Sequence, residues 1–225
     1  MVNLLFDYDG TLHDSLQIYA PAFQAAYDRL TELGYAEPRR WSADEVRQWI
    51  GLTPEDMWDR FMPDLPTEEK RASGTLIGSR MLELIQGGRA QLYPDVPEVL
   101  TALKQRDFRL LLLSNCPVSY LEAHAKYFQL DRYFQGLYCG EAFGYRPKYE
   151  ICRELQTWYD GPFLVIGDRR QDMEIARRNG LGAIGCLYGY GSPEELAEAD
   201  FLAASPKEIL TAAEEFLRSG ATSCS

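Results

Sequence analysis

In the stretch LLFDYDGTLHDS, residues 4 to 15, two aspartates stand one residue apart directly after an apolar run. A turn needs only one Asp or Asn beside a glycine, and Asp9 with Gly10 already supplies that pair, so Asp7 exceeds what local folding requires. Polar residues also close two later apolar runs. Ser114 and Asn115 follow FRLLLL, and Asp168 follows FLVIG with Asp172 one helical turn further on. Carboxylates gathered at one edge from separate strands repel one another unless a cation lies between them. A hard, oxygen-seeking ion such as Mg²⁺ suits a set made of Asp7, Asp168, the main-chain carbonyl of Asp9, and Asp172 directly or through water. A turn at Asp9 would swing its carboxylate toward a group on Asp7, the arrangement in which one carboxylate attacks and the other moves a proton. The Gly10 and Thr11 amides, the Ser114 hydroxyl and the Asn115 amide are candidates to cradle phosphoryl oxygens. Lys148, opening a helix after GYRP, would supply positive charge.

These residues reach one place only if the elements before them are arranged to do so. Unbroken apolar runs at VNLLF (2 to 6), FRLLLLS (108 to 114), GLYCG (136 to 140), FLVIG (163 to 167) and AIGCLY (183 to 188) predict strands covered on both faces. Helical patterns alternate with them at residues 94 to 106, 118 to 128, 149 to 159 and 172 to 180, and this alternation predicts a doubly wound parallel α/β sheet. In such sheets ligands bind beyond the carboxyl ends of the strands, where the polar residues fall. Residues 15 to 89 break the rhythm. They show no strand pattern but carry Leu16, Tyr19, Phe23, Ala26, Tyr27 and Leu30 at helical spacing, with further helical patterns after them. This predicts a helical insertion with its own small core, leaving residues 1 to 14 and 90 to 219 as the α/β core and 220 to 225 as a frayed tail. Ser42 with Glu45 predicts a capping box, Thr53-Pro54 a helix start, and Gly180 a helix end.

The bulk properties narrow the partners. With 46% hydrophobic and 25% charged residues the 225-residue chain reads as globular. A formal charge of -11 argues against nucleic acid or an anionic membrane as a general partner, while a small phosphorylated metabolite stays open if a metal and a local lysine invert the field. Five cysteines without CxxC spacing predict reduced thiols, neither a disulfide framework nor a zinc site. No basic start or long apolar run predicts a leader or a membrane span, so a cytoplasmic protein is expected, monomeric or a homodimer.

Taken together, DYDGTLHDS, the Ser114-Asn115 pair, the Lys148 segment and GDRRQD resemble, in order, the four motifs of the haloacid dehalogenase superfamily, a Rossmann-like fold. The insertion after the first motif resembles the helical cap of its phosphatase subfamily, which includes phosphoglycolate phosphatases and β-phosphoglucomutases. The resemblance implies that Asp7 attacks phosphorus and that Asp9 protonates the leaving oxygen and then activates water. Ser114 would bind the transferring group, Lys148 would neutralise it, and Mg²⁺ would be held by Asp7, the Asp9 carbonyl and Asp168 with help from Asp172. Within the cap, Gly51 and Thr53 in a substrate-facing loop, and Arg80, are the expected specificity residues. The chain departs from the pattern in three places. Arg146-Pro147-Lys148 replaces the usual Lys-Pro, with Lys148 favoured by its place before the apolar helix. Arg169 stands where Thr or Ser is common, and His13 stands at a usually apolar position, with a bearing on the hinge to the cap.

Each signal has a plainer reading. DxDG alone can be a solvated turn, Asp168 a helix cap, Ser114-Asn115 an ordinary loop pair, Lys148 an exposed first-turn lysine and His124 an ordinary position on an amphipathic helix. Trp41, Trp49, Trp58 and Phe61 read as cap packing. The joint order favours a phosphatase. A mutase is the alternative, although residues 50 to 55 hold no Arg or Lys for a second phosphate. A dehalogenase would not need Asp9, a receiver-like signalling module leaves no room for the insertion, and a silent binding protein would be expected to have lost Asp7 or Asp9.

Overall fold

The computed structural model describes residues 1–219. The frayed tail expected for residues 220 to 225, which includes Cys224, lies outside them. Among the described residues six strands form one sheet: β1 (Asn3–Phe6), β2 (Arg109–Ser114), β3 (Gly136–Cys139), β4 (Phe163–Gly167), β5 (Gly182–Cys186) and β6 (Phe201–Ala203). Their order is β3-β2-β1-β4-β5-β6 and every pairing is parallel. Strand order therefore reverses at β1, between β2 on one side and β4 on the other, and the crevice this opens lies at the ends of the strands that carry Asp7, Ser114 and Asp168.

The runs form strands because both faces are covered. Leu5 lies beside Leu111 and Val165 in register. These residues join one buried cluster with Ile151, Cys152 and Leu155 of the helix Lys148–Trp158 and with Met173, Ile175 and Ala176 of the helix Arg170–Asn179. The alternate residues Leu4, Leu110, Leu112, Leu164 and Ile166 are equally buried. On that side a side chain at Gly182 would meet both Leu164 and Phe216, placing the helix Pro206–Arg218 there, and the helix Val96–Gln105 packs against it.

β6 was not anticipated from sequence. It is three residues long with Leu202 53% exposed, too short and too open to leave an apolar run. The strand expected through residue 188 stops at Cys186, because Tyr188 turns out of the sheet and donates its hydroxyl to the Thr11 carbonyl at 2.7 Å. The four described cysteines, Cys116, Cys139, Cys152 and Cys186, are free and buried.

The chain divides into two compact units, Met1–His13 with the chain from Leu92 onward, and Asp14–Gln91. The second unit contains the helices Leu16–Glu32, Ala43–Val46, Pro54–Phe61 and Thr67–Gln86. Its longest contact joins Leu16–Glu32 to Thr67–Gln86, bridged by Arg29 and Glu69 at 2.8 Å. Phe23, Tyr27, Trp41, Trp49, Trp58 and Phe61 meet ring to ring, with Phe23, Tyr27 and Trp58 buried and the others half-buried, the packing role expected of the tryptophans. The capping box of Ser42 and Glu45 and the left-handed Gly180 that ends Arg170–Asn179 are both present. No described helix is long and apolar enough to cross a membrane.

Leu111, fully buried in the central part of the sheet, tests the core. Leu111→Ala is expected to lower unfolding free energy in urea by about 2–5 kcal/mol, whereas the exposed Glu198→Ala stays within about 0.5 kcal/mol of the parent.

Candidate active site

The loop after β1 is a knot of backbone hydrogen bonds. The Tyr8 carbonyl accepts from the Leu12 and His13 amides at 2.8 and 3.0 Å and more weakly from Thr11 at 3.3 Å, while the Gly10 amide donates to the His13 carbonyl at 3.0 Å. Gly10 has φ +88, and a side chain there would collide with the Asp168 carboxylate, so this position needs a glycine for both conformation and space. This geometry bears on the Gly10 and Thr11 amides, expected to cradle phosphoryl oxygens. Both N–H groups are used inside the turn, and the Thr11 hydroxyl instead donates to Asp168 Oδ1 at 3.2 Å.

Asp7, Asp168 and Asp172 are buried, with one oxygen of each within 4.8 Å of the others. The Lys148 ammonium enters this group from the first turn of its helix, donating to Asp7 Oδ1 at 2.7 Å and Asp172 Oδ1 at 2.9 Å. Asp168 does not cap the following helix, as its plainer reading had it. Arg169 is the N-cap residue, its amide donates to Asp172 Oδ2 at 3.1 Å, and Asp168 Oδ2 accepts from the Tyr190 amide at 2.7 Å. The Arg169 side chain turns to Glu195 at 3.1 Å. Arg146 pairs with Glu154 at 2.7 Å, so of the two cations in Arg146-Pro147-Lys148 it is Lys148 that reaches the carboxylates.

The electrostatics follow from this crowding. Burial first, and then the Asp172 charge, push the Asp7 carboxyl up to about 7 despite Lys148. Burial and the charges of Asp7 and Asp172 raise Asp168 well above the ordinary carboxylate range. Burial opposes the charge on Lys148, but Asp172 and Asp7 outweigh it and hold the ammonium above its usual value. Three carboxyl groups around one ammonium are an excess of acidic groups, and the crowding is relieved by raising Asp7 and Asp168 rather than by holding all three ionised. A hard cation fits these donors.

Asp9 lies apart from this cluster in its bonding. Its Oδ1 accepts from His13 Nδ1 at 3.0 Å and from the Tyr120 hydroxyl at 2.7 Å. Burial opposes ionisation of Asp9, yet the hydrogen bond and charge of His13, with His124 and Tyr120, hold it below the usual carboxylate value. His124, expected as an ordinary position on an amphipathic helix, lies on the buried face of the helix Val118–Phe128. It is fully buried, its Nδ1 hydrogen-bonds the Tyr8 hydroxyl at 2.8 Å, and its ring meets His13 at 4.4 Å. Tyr8 and the Tyr190 amide carried no warning in sequence, and Tyr120 and His124 were missed. A usable signal was the 120, 124, 128 stripe of Tyr, His and Phe, which shares one helix face.

Ser114 is buried at the end of β2, and its side chain hydrogen-bonds Cys116, while Asn115 follows it at the same edge. In the helical unit the expected specificity residues have local roles. Thr53 caps the helix Pro54–Phe61, accepting from the Asp56 amide at 3.1 Å, Gly51 takes φ +87 in the preceding turn, and Arg80 pairs with Glu83 at 2.7 Å.

The profile described as haloacid dehalogenase-like hydrolase matches residues 4–186. A phosphoglycolate phosphatase of Synechococcus elongatus is 28% identical over 230 residues, covering 97% of this chain and 100% of that relative. A 5'-nucleotidase of Pseudomonas aeruginosa is 32% identical over 199 residues, 86% of each chain. Among solved structures, a haloacid dehalogenase-like hydrolase of Streptococcus pneumoniae superimposes with a TM-score of 0.76 at 26% identity, over 94% of this chain and 97% of that one.

Burial, then the charge of His13, hold the His124 imidazole down to about 3 from 6.5, Asp9 pulling weakly the other way. Its ring faces Tyr8, His13, Tyr120 and Phe128. Between these two values the unfolded chain binds a proton that the folded one refuses, so stability falls as pH falls, by at most about 1.4 kcal/mol per pH unit. His124→Asn is expected to flatten this limb of a plot of urea midpoint against pH from 6.5 downward.

Proposed function

The chain belongs to the haloacid dehalogenase-like hydrolases and is a phosphoric monoester hydrolase, and from that premise we propose that Asp7 is its nucleophile toward a small phosphorylated metabolite. The observation that carries this reading is Asp7 itself: a buried carboxylate at the switch point of the sheet, 2.7 Å from Lys148 and among Asp168 and Asp172. An Asp7 oxygen attacks phosphorus as the ester P–O bond breaks, and Asp9 protonates the departing oxygen so that an alcohol leaves. Ionised at rest, Asp9 passes on a proton that arrives with the phosphoester monoanion. The Asp9 carboxylate then takes a proton from the water that attacks the aspartyl-phosphate, the bond from phosphorus to Asp7 breaks, and inorganic phosphate departs.

Lys148 offsets charge beside the nucleophile, and the Ser114 hydroxyl and Asn115 amide are the donors proposed for the phosphoryl oxygens. Asp7, Asp168 and Asp172, with the Asp9 carbonyl, would hold Mg²⁺, which when bound supplies the positive charge that this donor set lacks. Gly51, Thr53 and Arg80 remain proposed as substrate-facing residues of the helical unit. The relatives named as phosphoglycolate phosphatase and 5'-nucleotidase set the first substrates to try.

The test is phosphate release from phosphoglycolate, nucleoside 5'-monophosphates and hexose phosphates, with Mg²⁺ or EDTA. Turnover is expected only with Mg²⁺ and is expected to fall by at least about 10³-fold in Asp7→Asn, the scale of removing a covalent catalyst; an Asp7→Asn protein that still turns over at the parent rate removes the nucleophile assignment. In thermal and urea unfolding, Mg²⁺ at about 100 times its Kd is expected to add about 2.7 kcal/mol, and Asp168→Asn to abolish that gain.

A further inference from the structure

The two histidines of this chain meet each other beside Asp9, where no part of the chemistry described so far requires them. His13 is drawn to Asp9 by the backbone knot of residues 8 to 13, and its side chain is fully buried while that of Asp9 keeps 18% exposure. Both donors fall on the same atom: His13 Nδ1 and the Tyr120 hydroxyl bind Oδ1, and no bond to Oδ2 is present among the described residues. The ring of His13 is fixed in turn. Tyr8 stacks on it at 5.2 Å and 13°, His124 lies against it at 4.4 Å, and the Tyr8 hydroxyl is tied to His124 Nδ1. Tyr120 and His124, one turn apart on the helix Val118–Phe128, also touch at 4.3 Å.

Packing alone does not account for these residue types. Nε2 of His13 and Nε2 of His124 are both buried without a hydrogen-bond partner, a condition that costs about 1–3 kcal/mol per group. A leucine or phenylalanine would fill the same space without an orphan nitrogen. Retention of His13 is explained by what its other nitrogen does.

Resting on the phosphatase reading above, we propose that His13 and Tyr120 are positioning residues for proton transfer: they clamp Asp9 through Oδ1 and leave Oδ2 as the oxygen that carries the proton. A carboxylate held by one oxygen from two directions loses its rotation about the side-chain bond, and its second oxygen stays at a fixed place for the leaving group and then for water. His13 and Tyr120 touch neither the phosphoryl group nor the carboxylates of Asp7, Asp168 and Asp172 in this scheme; they act through the Asp9 side chain.

The leaving group provides the test, because an alkoxide needs protonation and a nitrophenolate does not. kcat/KM would be measured on p-nitrophenyl phosphate and on the alkyl phosphoester that ranks first in the panel above, for the parent, His13→Leu, Tyr120→Phe, His13→Asn, Asp9→Asn and Asp7→Asn, each with Mg²⁺. The ratio of alkyl to aryl kcat/KM is expected to fall about tenfold or more in His13→Leu and in Tyr120→Phe, toward the larger effect of Asp9→Asn, within the 10²–10⁴ range of general acid catalysis. His13→Asn, whose side-chain amide can donate from near the Nδ1 position, is expected to recover most of that ratio. Tyr120→Phe removes only a hydroxyl, so it keeps the test decisive if His13→Leu folds poorly, as circular dichroism and the Mg²⁺-dependent melting shift would reveal. A parent-like ratio in both, or equal losses on both esters, overturns the clamp. If Asp7→Asn abolishes turnover in that case, the phosphatase reading stands and only the clamp falls; if Asp7→Asn stays active, the nucleophile assignment is what has failed.

Discussion

Three carboxylates and one ammonium share a buried space at the ends of β1 and β4, and the charge imbalance among them constrains much of the α/β unit. Lys148 touches Asp7 and Asp172 but not Asp168, whose oxygens are met instead by the Tyr190 amide and the Thr11 hydroxyl. Holding such a group requires rigid supports, because each ion has lost its water and must be met by a fixed dipole or charge. The parallel sheet supplies them. β1 and β4 are in register, the Asp7 amide bonds to the Ile166 carbonyl at 2.8 Å, and the helices that carry Lys148 and Asp172 pack on one face through Ile151, Leu155, Met173 and Ala176.

Asp7 and Asp9 are two residues apart yet live in different environments. Burial and like charge raise Asp7 to about 7, while the donors around Asp9 hold it low. Carboxylates whose surroundings push them apart can take separate roles. The separation comes from the Gly10 turn, which reverses the chain tightly enough that residue 13 returns to residue 9.

Sequence reading and structure diverge at places with a common character. The strand runs were legible because a strand buried on both faces leaves a continuous apolar signature, and β6 was not because it is short and half open. The convergence of Asp7, Asp168, Asp172 and Lys148 on one edge was legible because each ends a strand or opens a helix in a fold whose strand ends face one crevice. Which donors remain open there was not. The Gly10 and Thr11 amides looked available in sequence and are used in the turn, while Lys148, already favoured over Arg146 by its place before the apolar helix, is the cation left for the site because Glu154 pairs with Arg146. Thr53, expected at a substrate loop, has the local role of a helix cap.

The layered parallel sheet, the helical character of residues 15 to 89 and the residue types delivered to the strand ends were legible from the chain alone, because these follow from hydrophobic period and local turn chemistry within a few neighbours. The tertiary structure alone decided that His13, Tyr120, His124 and Tyr8 form one assembly around a single oxygen of Asp9. Those side chains come from segments more than a hundred residues apart, and hydrogen-bond geometry and burial between such segments have no periodicity along the chain from which they could be read.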